Sequence, residues 1–108
     1  MRDERVWKAL ADGTRRDILD LLREAPRTTG QVAARFPISR FGVMKHLTVL
    51  RDAGLLRVER RGRERWNHLN PVPIQRLWRR WVHPFEAAAA DKLLRIESAT
   101  LKSRRARS

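Results

Sequence analysis

Between Ser39 and Leu50 the chain places Arg40, Phe41, Met44 and Lys45 within two turns of one helix-like period. Guanidinium and ammonium groups at such spacing can donate to guanine edges or phosphates. An aromatic ring or a thioether beside them can touch a thymine methyl group. Val43, Leu47 and Leu50 follow at steps of four and three, so the opposite edge of the same helix is apolar and must be buried. A second basic cluster, Arg60-Arg61-Gly62-Arg63 with Arg65 beyond it, falls where the pattern turns strand-like. Four arginines on a protruding ribbon repel one another unless an anion lies near. Such a ribbon suits the minor groove or phosphates beside a helix seated in the major groove.

These clusters need elements to hold them. Val6, Trp7, Leu10 and Ala11 predict a helix over residues 3–11, broken at Asp12-Gly13. A second helix starts near Thr14, with Asp17 as a weak capping-box partner, carries Ile18, Leu19, Leu21 and Leu22, and ends at Pro26. Thr28 or Thr29 caps a third, with Val32, Ala33 and Phe36 inward, stopped by Pro37. Ser39 is placed to cap the fourth, and Gly54 falls where a left-handed C-terminal residue belongs. Gly42 inside that helix costs about 1 kcal/mol relative to Ala. Close packing, close approach to DNA and simple drift each account for it. Leu56–Arg60 and Glu64–Leu69 alternate as two strands about the Gly62 turn, and Asn70-Pro71 closes the hairpin. A last helix carries a stripe of Ile74, Leu77, Trp78, Trp81, Val82, Phe85, Leu93 and Ile96, kinked or split by Pro84.

The fold class expected is mainly α with a small β-hairpin, a winged helix-turn-helix. One domain is expected over 1–101, followed by a mobile basic tail at 102–108.

Composition agrees. Lys and Arg number 25 against 12 Asp and Glu, a net charge of +13. Residues 1–54 carry 11 basic and 7 acidic side chains, a net of +4, and residues 55–108 carry 14 and 5, a net of +9. Such a surface attracts a polyanion, nucleic acid first and an anionic membrane surface second. The chain has no cysteine, so disulfides and thiolate metal sites are excluded. No stretch is apolar enough to span a bilayer and no leader is evident, so a cytoplasmic location is expected. No nucleophile stands with a base, and no carboxylate pair or phosphate-binding glycine loop is present, so an enzyme is not expected. Asp17 and Asp20 read as a solvated helix face.

The runs LADGTRRDILDLL, ISRFGVMKHLTVLRDAGLL and RRGRERWNHLNPVPIQRLWRRW resemble the ArsR-type winged helix repressors, in one register from about residue 4 to residue 97. Gly13 stands where that family usually has Pro. The resemblance implies a dimeric repressor contacting double-stranded DNA of dyad symmetry through the fourth helix and the wing. It implies that the first and last helices pair the two copies, through Val6, Trp7, Leu77, Trp78, Trp81, Phe85 and Leu93. A last helix bearing this many aromatics needs something to cover it, whether a second copy, its own first helix at Trp7 or another protein. The family's metal sites need Cys-x-Cys in the third helix, here TTGQVAARF, or paired His and acidic residues on the last, which holds His83, Glu86 and Asp91. His46 and His68 lie on other elements, so neither a metal nor another cofactor is expected. The reading that follows assigns base contacts to Arg40, Phe41, Met44 and Lys45. It assigns phosphate or minor-groove contacts to Ser39, His46, Arg61, Arg63 and Arg65. The competing reading is a basic architectural protein that coats nucleic acid without reading its sequence.

Overall fold

The computed structural model describes the backbone of residues 2–107 and the side chains of residues 3–86 and 88–97. The elements are α1 (Arg2–Leu10), α2 (Gly13–Glu24), β1 (Arg27–Thr28), α3 (Thr29–Ala33), α4 (Arg40–Asp52), β2 (Leu56–Arg61), β3 (Glu64–Leu69), α5 (Val72–Leu77), a π-helical turn (Trp78–Val82) and α6 (His83–Arg107). The chain divides between Gln75 and Arg76 into two compact units, where one domain to residue 101 was expected.

In the first unit, Ile18 and Leu22 of α2, Val32 of α3, Val43 and Leu50 of α4, and Leu55 form the core. The junction of α1 and α2 is fixed by polar groups. Asp12, and not Thr14, caps α2: its Oδ2 accepts from the Arg15 amide at 3.0 Å. Gly13 then occupies the first helical position, where proline is also at home. Arg15 donates from Nε to the carbonyl of Ala9 and from Nη2 to that of Lys8, both at 2.9 Å, and Arg16 Nη1 donates to Leu10 at 2.8 Å. Those carbonyls end α1; that of Lys8 also accepts from the Ala11 amide at 3.2 Å, and the two arginines cap the group as a whole.

The cap holds the Asp12 carboxyl below its ordinary value of 3.8, chiefly through the Arg15 amide. A carboxyl whose pKa is lower in the folded than in the unfolded chain adds stability above its unfolded value. That stability disappears as pH falls through the folded value. Asp12→Asn keeps an acceptor but no charge. Its melting temperature should therefore fall less than that of the wild type between about pH 5 and pH 2, as read by circular dichroism.

Local chemistry sets the helix-turn-helix. Thr28 and Gln31 form a reciprocal capping box at the start of α3, with distances of 3.1 and 3.0 Å. Ser39 caps α4, its Oγ accepting from the Gly42 amide at 3.0 Å. A methyl group on Gly42 would lie 3.4 Å from that Oγ and 3.7 Å from Ile38, ordinary contact distances, so packing does not demand the glycine. At the other end Gly54 adopts φ +78°. The Leu55 amide donates to Leu50 and the Gly54 amide to Arg51, the paired bonds of a Schellman closure.

The sheet has three strands in the order β1-β3-β2, all antiparallel, where the sequence predicts two. The added strand β1 pairs Arg27 with Asn67 and Thr28 with Trp66. Buried Asn67 explains its place: Nδ2 donates to the Arg27 carbonyl and to Thr29 Oγ1, both at 3.2 Å. The hairpin register sets Arg61 opposite Glu64, leaving Gly62-Arg63 as a two-residue loop. Positive φ at Gly62 (+61°) and not at Arg63 is the pattern of a type II′ turn.

In the second unit Pro84 does not split the helix. The turn before it widens: the His83 amide donates to the Trp78 carbonyl, five residues back. The extra residue makes room for a ring that would strike the carbonyl four residues earlier. The Trp78 and His83 rings meet at a tilt of 33°, with centroids 4.7 Å apart. The segment expected as a mobile tail from Lys102 continues α6 to Arg107, in keeping with the helix propensity of Lys, Arg and Ala. Ser108 lies outside the described residues.

Candidate nucleic-acid interface

The capped start of α4 and the wing tip share one groove. Arg40 and Met44 line it from α4, Thr28, Thr29 and Gly30 from the start of α3, and Arg63, Glu64 and Arg65 from the hairpin. A narrower cleft continues behind it, where Met44, Leu47, Thr48 and Arg51 face Val58, Arg65 and Asn67. Val43, Leu47 and Leu50 are buried, so the opposite edge of α4 is held outward. Phe41 is 68 % exposed, and Lys45 Nζ sits 4.7 Å from its ring centroid. That contact stiffens two side chains that solvent would otherwise leave free.

Strand alternation divides the wing arginines. Arg60 stands directly opposite Arg65, on the sheet face that meets the groove. Like charges in direct cross-strand register destabilise a hairpin unless an anion lies between them. Arg61 points to the other face. There Arg61 Nε donates to Glu59 Oε1 at 2.7 Å, and its guanidinium lies 5.1 Å from the Trp66 ring centroid. The Arg61 hydrogen bond holds the Glu59 carboxyl below its ordinary value, with His68 Nε2 a further 3.5 Å contact.

The residues expected to contact DNA therefore do not all converge. Arg40, Met44, Arg63 and Arg65 line the common groove, and Phe41 and Lys45 extend from the same helix. Ser39 Oγ accepts from the Gly42 amide in the helix cap, which leaves its hydroxyl hydrogen to donate. His46 turns Nδ1 toward α2, 3.3 Å from Arg15 Nη1 and 3.9 Å from Asp12 Oδ2, which leaves only Nε2 for a phosphate. Arg61 is engaged on the far face of the wing. Sequence reasoning missed Thr28, Thr29 and Gly30. Their one signal is the pair of threonines opening a helix, and it names a cap without saying which groove the cap borders.

Among the residues expected to pair two copies, Val6 is 2 % and Leu77 4 % exposed within one chain, so they can support such a surface only from beneath. Trp7 is half exposed in the first unit. Trp78, Trp81, Phe85 and Leu93 are exposed in the second. Among the described residues, no three His, Asp or Glu side chains gather closely enough to hold a metal ion. No helix among them is long and apolar enough to cross a membrane.

Two helices joined by a tight turn, the second held outward by its caps, and a basic hairpin bordering the same groove define a winged helix-turn-helix. A family model for a helix-turn-helix domain matches residues 10–59. The chain is 40% identical over 74 residues to the HTH-type transcriptional regulator Rv2034 of Mycobacterium tuberculosis, covering 68% of this chain and 69% of that one. It is 39% identical over 70 residues to the transcriptional repressor SdpR of Bacillus subtilis, covering 65% of this chain and 78% of SdpR. An ArsR-like transcriptional regulator from Rhodococcus sp. RHA1 superposes with a TM-score of 0.70 at 28% identity, covering 91% of this chain and 92% of its own. The homodimeric winged helix-turn-helix DNA-binding domain of Mb0332 from Mycobacterium bovis superposes with a TM-score of 0.64 at 27% identity, covering 84% and 80%. The chain belongs to the ArsR-type winged helix-turn-helix family of transcriptional regulators.

Proposed function

We propose that two copies of this chain bind double-stranded DNA of dyad symmetry and repress transcription of their own or a neighbouring operon, acting in the cytoplasm and without catalysis. The observation that carries the reading is the groove between Arg40 and Met44 of α4 and Arg63 and Arg65 of the wing. The uncompensated Arg60–Arg65 register supports it, since a phosphate between those strands would relieve the repulsion. The name of SdpR supports repression, and the homodimeric state of Mb0332 supports pairing.

In this reading Arg40, Phe41, Met44 and Lys45 meet base edges. Arg63 and Arg65 hold phosphates or the minor groove, with Ser39, His46 and Arg61 at the margin. Selection of bound fragments from a random duplex library tests specificity, half-site spacing and symmetry together. A regulator keeps a preference of about a thousandfold or more over random DNA at moderate salt. A protein that merely coats nucleic acid, the alternative favoured by the +13 charge, keeps none.

With a selected duplex in hand, Arg40→Ala should cost about 1–3 kcal/mol and relax the preference at one base pair of each half-site. Arg63→Ala should weaken selected and random duplexes alike. It should also flatten the log–log salt dependence by about 0.9 for each phosphate that the variant no longer neutralises. If both variants bind as the wild type does, the groove is not the contact surface.

A further inference from the structure

The polar junction at Arg15 joins three helices. Its guanidinium donates to the carbonyls of Lys8 and Ala9 at the end of α1, its amide is capped by Asp12, and its Nη1 reaches His46 in the middle of α4. A guanidinium only donates, so at 3.3 Å the His46 Nδ1 must accept, and the neutral ring carries its proton on Nε2. A proton added at Nδ1 removes that acceptor and sets an imidazolium against a guanidinium. The Asp12 carboxylate, 3.9 Å away, then becomes its natural partner. Arg15 cannot follow, because α1 holds its Nε and Nη2. The side chain that changes partner is therefore the one on α4. Among the described residues, the charged groups in contact with the ring are Arg15 and Asp12. Lys45, its charged neighbour on α4, leans over Phe41 instead, and α1 presents only carbonyls to the junction.

We infer that Asp12, Arg15 and His46 form a proton-sensitive seat for α4: the neutral ring locks the helix to α1 through Arg15, and the protonated ring releases that link in favour of Asp12. His46 is a positioning residue here, acting on base readout through the placement of Arg40 and Met44. The inference rests on the proposed DNA-binding role. Its functional sign is that discrimination between sequences falls on acidification. A charge added to α4 attracts every duplex alike, whereas a shifted seat misplaces only the groups that read bases.

The ring itself is tested first, on the whole wild-type protein. Long-range nitrogen–proton correlation at about pH 7.5 should show His46 as the Nε2–H tautomer, and an Nδ1–H tautomer overturns the inference whatever DNA does. Binding is tested next, with a duplex selected by the wild type at about pH 7.5 and a random duplex of the same length, at constant ionic strength. Each duplex is titrated at about pH 7.5 and at about pH 5.5, within the span over which histidine is the side chain that changes charge. The wild-type preference should fall about three- to tenfold, the worth of one hydrogen bond. His46→Gln, which can accept from Arg15 but not take up a proton, should hold its preference within about twofold over the same range. Asp12→Asn removes the carboxylate that favours the protonated ring and should shrink the wild-type fall over this range; a fall that is unchanged in that variant overturns Asp12 as the second partner. A preference that ignores pH, or that falls equally in His46→Gln, overturns the switch and leaves the DNA-binding role standing. Failure to select any sequence at about pH 7.5 defeats that role, and the coupling with it.

Discussion

Replacing Trp81 and Phe85 together with serine is expected to leave the protein monomeric and to lower its affinity for a selected palindromic duplex by about a hundredfold or more. Trp81 is 44 % and Phe85 64 % exposed in the single chain, so their loss removes little from the interior of one copy. Across a two-fold interface each replacement counts twice, and a buried aromatic anchor contributes about 2 kcal/mol or more. Four such losses exceed what a small dimer can absorb. Once the copies part, each half-site is bound alone, and the gain from tethering two modest interactions disappears. Sedimentation velocity at micromolar protein reads the first effect and titration of the duplex the second. Unaltered circular dichroism of the variant would exclude unfolding as the cause. A double variant that still sediments as a dimer and keeps its affinity would place the pairing surface elsewhere.

Leu50→Ala is expected to cost about 2–5 kcal/mol of stability, the range for emptying a leucine site in a packed core. Leu50 is fully buried, and its carbonyl also closes the end of α4 through Leu55. A domain of this size has about 5–15 kcal/mol in total. The melting temperature should therefore fall by about 10 °C or more, at about 4–8 °C for each kcal/mol. Phe41→Ala on the outer edge of the same helix should stay within about 0.5 kcal/mol of the wild type while weakening DNA binding. Thermal melts of the two variants separate the edge that seats α4 from the edge that it offers. Equal melting temperatures would mean that α4 lies the other way round.

What could be read from the chain is what is decided within a few residues. Ser39 and Gly54 bound α4 through bonds to their own neighbours, and Gly62 turns the hairpin by a conformation that glycine favours. The face of α4 followed from the spacing of Val43, Leu47 and Leu50. Strand β1 was not legible, because two residues make no pattern and its place depends on Asn67, some 40 positions away. Helix α2 is capped by Asp12 and not by Thr14, although either side chain suits a cap, and only the end of α1, held by Arg15, settles which. Basic residues on a ribbon looked alike in one dimension. Alternation sends Arg65 toward the groove and Arg61 to Glu59 and Trp66. A histidine on a helix likewise gave no hint that Arg15, 31 positions earlier, would claim its Nδ1.

The widened turn at Trp78–Val82 has a consequence for how this helix is allowed to vary. One surplus residue rotates everything after it by about 100° relative to an unbroken α-lattice. Trp78 and Trp81 therefore belong to one angular phase and the residues from Phe85 onward to another. Deleting one residue between Trp78 and Val82 would restore a single phase. The winding lost with that residue and the winding regained by the tighter turn nearly cancel, so Phe85 and Leu93 would keep their places around the axis relative to Leu77. A one-residue gap in this stretch would therefore disturb the apolar surface less than the same gap in the regular turns on either side.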